Sequence, residues 1–246
     1  MRVKEIVAVI DSFAPFAEAQ KWDNSGFLVG SPEAPVSKAV VTLDITAGAI
    51  DYARSVGAEL IVSHHPVIFH ALSALHPTMP SYQLAQSGIA AIAAHTNLDI
   101  CDGGVGDCLA AALGLKNIRS CDEPFLKLGD LSQPLSAEEF AAHCAQKLGT
   151  PVRLHKGCEP ITTVAVGGGS CGEFARVAEA AGAQVLVSGE IRHNHYIDEI
   201  SMTLVEAGHY ATEQPVIEPF AARLRELCPA VEWLPYDIGE PYIIIG

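Results

Sequence analysis

Apolar positions along this chain fall into two blocks of the same design. Residues 38–44 form a β-branched apolar run, residues 47–57 carry Ile50, Ala53 and Val56 at helical spacing, and Leu60-Ile61-Val62 is a second buried run. Strand, helix, strand in that order predicts a right-handed βαβ crossover and a largely parallel sheet. The order returns as Thr163–Val166, a helical pattern through Phe174, Val177, Ala178 and Ala181, and then Val185–Val187. Gly57–Ser63 aligns on Gly182–Ser188 at a constant offset, which composition alone does not produce, and sets His65 opposite Glu190. Ahead of the first block, Val3, Ile6, Ile10 and Phe13 predict an amphipathic helix. Between the blocks, residues 116–160 lack a strong strand pattern until Val152-Arg153-Leu154. Ser136 and Glu139 there form a capping box, predicting a helix over about 137–148 that ends at Gly149. The expected fold is therefore two similar α/β domains from an internal repeat, residues 1–120 and 121–246, with mainly parallel sheets flanked by helices.

The repeat also carries chemistry. Ala94-His95-Thr96-Asn97-Leu98-Asp99 and Gly208-His209-Tyr210-Ala211-Thr212-Glu213 each place a carboxylate four positions after a His, on one face of a helical turn. Each trails a strand that ends in a polar cluster, Ser63-His64-His65-Pro66 in one case and Ser188-Gly189-Glu190 in the other. Imidazole with carboxylate is a ligand set that divalent transition metals favour, so units facing each other across a cleft would build a metal site from both halves. Adjacent residues on a strand point to opposite faces, so His64 and His65 reach one site only if the backbone is turning there. Pro66 restricts His65 to extended backbone and is expected to stop the sheet ladder. Such a pair serves two metals, one ring each, and a bridging carboxylate holds two cations about 3.5–4 Å apart, the arrangement of two-metal hydrolases.

Gly167-Gly168-Gly169-Ser170-Cys171-Gly172 sits between a strand and a helix, where backbone N–H groups cradle phosphate in other proteins. No Lys follows and the spacing is not a dinucleotide fingerprint, so a tight βα turn is the favoured reading. His70, His76, His143 and His155 lack a partnered carboxylate and are expected to be solvated. His193 and His195 are more readily surface residues than acid/base groups at a cleft mouth.

Composition narrows the class. Across 246 residues, 29 acidic side chains stand against 15 basic ones, a formal net charge of −14 with no Lys/Arg-rich run. A chain of this charge is expected to repel a nucleic-acid backbone, so no nucleic-acid partner is expected. Hydrophobic content of 49% with 18% charged residues suggests apolar surface covered by other subunits, hence a homo-oligomer. The seven cysteines are scattered and form no C-x-x-C pair, so free thiols in a reducing compartment are expected. The apolar stretch after Met1-Arg2-Val3-Lys4 is broken by Asp11, and no run approaches a membrane span. These features read as cytoplasmic and away from membranes.

With these residues assembled, the chain closely resembles the Nif-three-like family of dinuclear metal-centre proteins, often labelled GTP cyclohydrolase 1 type 2. The residues that carry the likeness are Trp22-Asp23-Asn24-Ser25-Gly26-Phe27-Leu28-Val29-Gly30, Ser63–Pro66, His95–Asp99 and Gly208–Glu213, which cover nearly the whole length. The resemblance implies two metals held by His64, His65, Asp99, His209 and Glu213, in a cleft between two similar α/β domains, with subunits assembled as a hexamer. Many relatives place a His four residues after the position of Glu190, whereas this chain has Asn194 there, flanked by His193 and His195. The leading expectation is a dinuclear metal-dependent hydrolase, in which metal-activated water, relayed by His95 or Glu190, attacks a small nucleotide-like substrate. A non-enzymatic protein that delivers or senses metal through protein partners is the alternative. His with carboxylate suits zinc, iron, manganese or nickel equally well.

Overall fold

A computed structural model of the chain describes residues 1–197 and 201–243. Along the chain run α1 (Val3–Asp11), β1 (Gly26–Val29), β2 (Lys38–Thr42), α2 (Ala47–Val56), β3 (Leu60–Ser63), α3 (Pro80–Ser87), β4 (Ala90–Ala93) and α4 (Thr96–Ile100). They are followed by α5 (Val105–Ala112), β5 (Lys116–Ser120), β6 (Lys127–Leu135), α6 (Ala137–Leu148), β7 (Arg153–His155) and β8 (Ile161–Gly167). The remainder is α7 (Ala175–Ala180), β9 (Val185–Ser188), α8 (His193–Ile197), β10 (Thr203–Glu206), α9 (His209–Glu213), α10 (Ile217–Leu227) and β11 (Glu232–Tyr236). The fold is mixed α/β, with two sheets flanked by helices. Among the described residues, no helix is long and apolar enough to cross a membrane.

The first unit comprises Met1–Asp102 and Ile217–Gly239. Its sheet has the order β1-β4-β3-β2-β11, parallel except for β1, which runs antiparallel to β4 at the edge. Every residue of β3 and β4 is buried, which is why these strands read as unbroken apolar runs. Val40, Ile61 and Ala91 pack on one face against Ile50 and Ala53 of α2 and Leu84 of α3.

The second unit comprises Gly103–Val216 and Glu240–Gly246, with sheet order β5-β6-β8-β9-β10-β7. Here β8, β9 and β10 are parallel, while β5, β6 and β7 join antiparallel, so this sheet is mixed rather than mainly parallel. Alternate residues serve two cores. Val164, Val166, Val185, Val187 and Val205 face Phe140 of α6 and Leu109 of α5, whereas Ala165, Leu186 and Leu204 face Ala175 and Ala178 of α7.

This partition differs from a single division after residue 120. Strand β5 pairs with β6 and so belongs to the second sheet, and β11 pairs in parallel with β2 and returns the chain to the first. The return has a clear cause. Helix α10 is amphipathic and buries Ile217, Phe220, Ala221 and Leu224, with Phe220 edge-on to Phe13 at 6.1 Å. Beyond it Trp233 is buried and its Nε1 donates to the Cys228 carbonyl, while Tyr236 stacks on Tyr52 of α2 at 4.6 Å.

Candidate metal centre

Two sets of side chains, one in each unit, carry the expected chemistry. The first lies at the carboxyl end of the parallel sheet, where α/β folds present ligands. The ladder does not stop at Ser63: the amides of His64 and His65 still donate to Thr42 and Leu43 of the neighbouring segment, at 3.1 and 2.9 Å. Beyond β3 the backbone bends, and the two rings come together with centroids 4.8 Å apart. His95 joins them from the start of α4, at 5.2 Å from His64 and 5.4 Å from His65. One ring nitrogen from each of the three lies within 4.8 Å of the others, and Asp99 Oδ1 is 3.5 Å from His64 Nε2.

Each ring is held by its Nδ1. His64, fully buried, sets Nδ1 3.0 Å from the Ala94 carbonyl; His65 Nδ1 is 2.9 Å from Asp44 Oδ1; His95 Nδ1 is 2.8 Å from Asp23 Oδ1. A partner on Nδ1 fixes the tautomer and aims Nε2, the arrangement that supports histidines at metal sites. Asp23 is itself caged, accepting from Ser25 Oγ, Thr96 Oγ1 and the Thr96 amide. Burial alone would push its carboxyl up, but the hydrogen bonds from His95, Thr96 and Ser25 outweigh burial and hold it well below the ordinary carboxylate range. It is thus a fixed anion behind His95.

The second set stands on α9. His209 Nε2 lies 3.1 Å from Glu213 Oε1, and His209 Nδ1 lies 2.9 Å from Glu190 Oε1. Glu190 therefore occupies the place of a ring-orienting carboxylate. The Gly-rich loop proves to be more than a turn. The Gly169 amide donates to Thr212 Oγ1, and a Cβ at Gly169 would collide with Glu213 Oε1 and crowd His209 Nε2. Its glycines let the backbone pass against the His209–Glu213 pair.

Other histidines sort differently. His70 and His76 are exposed, as expected. His143 is not solvated: its Nε2 lies 2.8 Å from the Leu113 carbonyl, and it is half-buried because α6 packs over that turn. His155 lies on β7, half-buried and edge-on to Tyr196. His193 and His195 sit on α8, where Asn194 Nδ2 is 3.5 Å from His195 Nδ1. Sequence reasoning passed over Asp23 and Asp44 as orienting groups. Asp44 had a legible signal, as a carboxylate just past the strand next to His65, whereas Asp23 reaches His95 only through the tertiary fold.

An α/β fold with histidines and carboxylates clustered at strand ends defines a class of protein whose side chains could hold a metal ion. The family described as Duf34/NIF3 (NGG1p interacting factor 3) matches residues 1–240, and the chain belongs to it. A Streptomyces coelicolor protein named "GTP cyclohydrolase 1 type 2 homolog" is 32% identical over 94% of this chain and 88% of its own. A Clostridium perfringens protein of the same name is 27% identical over 92% of each chain. Among solved structures, a Staphylococcus aureus hypothetical protein superposes with a TM-score of 0.93 at 26% identity, covering 100% of this chain and 99% of its own.

Proposed function

We propose that this protein is a dinuclear metal-dependent hydrolase acting on a small nucleotide-like substrate, with His64, His65, Asp99, His209 and Glu213 as metal ligands. The observation that carries this reading is the common treatment of four imidazoles. His64, His65, His95 and His209 each have Nδ1 engaged by a carboxylate or a carbonyl, which directs Nε2 to ligation. Held by these residues, a divalent ion would supply Lewis acidity that could acidify water and polarise a substrate oxygen. The residues themselves orient the ligands and handle protons. Asp44 and Asp23 fix the rings of His65 and His95, and Glu190 fixes that of His209. His95, inside the ring-nitrogen cluster, either joins the ligands or relays a proton, and the metal content of His95→Ala separates these roles. The name shared by the relatives directs the substrate search towards GTP.

Elemental analysis of protein purified without tag or chelator, with a nucleotide hydrolysis screen on the same preparation, tests the proposal. The expected outcome is about two divalent ions per chain and turnover abolished by chelation. Asp99→Ala and Glu213→Ala are expected to lose metal while remaining folded, because both ligands follow strands whose cores they do not fill. Wild-type stoichiometry in both variants would refute the ligand set. Bound metal with no turnover on any nucleotide would instead favour a metal-handling protein.

A further inference from the structure

Beside the histidine cluster the first unit displays two aromatic side chains that its core does not use. Trp22 is 58% exposed and Phe69 39% exposed, whereas the second tryptophan, Trp233, is only 3% exposed. Their rings lie 5.8 Å apart at a 34° tilt, and each stands 6.0 Å from His95, edge to face. The three rings form one continuous aromatic surface running from solvent to a candidate metal ligand.

The surface is held in place by its neighbours in sequence. Next to Trp22, the Asp23 carboxylate is fully buried and bonded to His95, Thr96 and Ser25. Asn24 Nδ2 then donates to the Ile68 carbonyl at 2.5 Å, tying the turn that bears Trp22 to the loop that bears Phe69. Exposing an indole and a phenyl ring together leaves a large apolar area in water, and a planar ligand ring recovers it by stacking at little ordering cost.

We propose that Trp22 and Phe69 form a stacking platform for a planar heteroaromatic ring, a purine-type base, whose reacting edge is presented to the cluster of His64, His65 and His95. This deepens the functional reading above and rests on it for the identity of the reacting site. Stacking accepts any flat π face, so the platform supplies affinity for the ring, and the histidine side supplies the chemistry.

Calorimetric titration with guanosine, GTP and inorganic tripolyphosphate tests the platform, on wild type, Trp22→Leu, Phe69→Leu and Trp22→Phe. The expected result is that guanosine and GTP bind wild type and quench tryptophan emission from Trp22, with buried Trp233 as the unquenched background. Each Leu variant should bind both ligands about tenfold or more weakly, Trp22→Phe should recover most of the affinity, and tripolyphosphate binding should not change. Unaltered guanosine affinity in both Leu variants, or a wild type that binds tripolyphosphate but not guanosine, would overturn the proposal. So would a change in the assembly state of Trp22→Leu by sedimentation, since the platform would then be a subunit contact. Metal content of the same preparations separates the two readings: metal without ring binding sinks the platform alone, and ring binding without metal sinks the dinuclear centre alone.

Discussion

Gly169 shows how much of the candidate centre depends on what a residue lacks. It adopts φ +60°, a region that L side chains rarely occupy, and its missing Cβ is what lets the loop pass beside Glu213 Oε1 and His209 Nε2. Gly169→Ala is therefore expected to cost about 1–3 kcal/mol of stability and to displace the Glu213 carboxylate, lowering metal occupancy although no ligand is removed. Urea unfolding and metal analysis of the same variant check both effects. Full occupancy with wild-type stability would show that the loop yields freely and plays no part in placing the pair. The two candidate His–carboxylate pairs were legible because a His and a carboxylate four apart share a helical face wherever the helix stands. The support of His95 was not, since Asp23 and His95 meet only through the fold.

At the level of elements, the two blocks share more than their order. Glu59, just before β3, accepts from the Ser37 amide, Ser37 Oγ and the Lys38 amide at the start of β2. Its repeat counterpart Gln184, just before β9, accepts through Oε1 from the Thr162 amide, Thr162 Oγ1 and the Thr163 amide on β8. The same clip is thus charged in one copy and neutral in the other. Burial alone would raise the Glu59 carboxyl, but the N–H groups of Lys38 and Ser37 more than offset it and leave it below its ordinary value. A folded value below the unfolded one means stability that is present above about pH 4.3 and lost as pH falls through the folded value. Glu59→Ala should cost about 1–2 kcal/mol at neutral pH, with the cost shrinking as pH is lowered towards 3, whereas Gln184→Ala should cost a similar amount at every pH. Urea titrations across that range decide it, and an unchanging penalty for Glu59→Ala would show that its charge contributes nothing. The same elements show where local signals end. Helix α6 occupies Ala137–Leu148 behind a formed Ser136–Glu139 capping box, as its sequence predicts. Strands β5 and β6 escaped notice because β5 is exposed at every position and β6 contains Gly129 and Pro134, so neither alternates cleanly. The pairing of β11 with β2 had no local signal at all, as it joins segments from opposite ends of the chain.

For the whole molecule, apolar surface and net charge pull in opposite directions. Leu72, Leu75, Ile118 and Leu227 are exposed, in a chain of 49% hydrophobic residues, and covering such side chains favours assembly. A formal charge of −14 on every copy opposes it through self-repulsion. Salt distinguishes the two forces, because it screens repulsion and leaves apolar burial intact. Sedimentation velocity is therefore expected to find a homo-oligomer, proposed as a hexamer of the 26.0 kDa chain, that persists or tightens as salt rises from about 0.05 to about 0.5 M. If charge pairs held the subunits, the same change would loosen them. A lone 26.0 kDa species at tens of micromolar protein and high salt would show that the exposed apolar side chains are not subunit contacts.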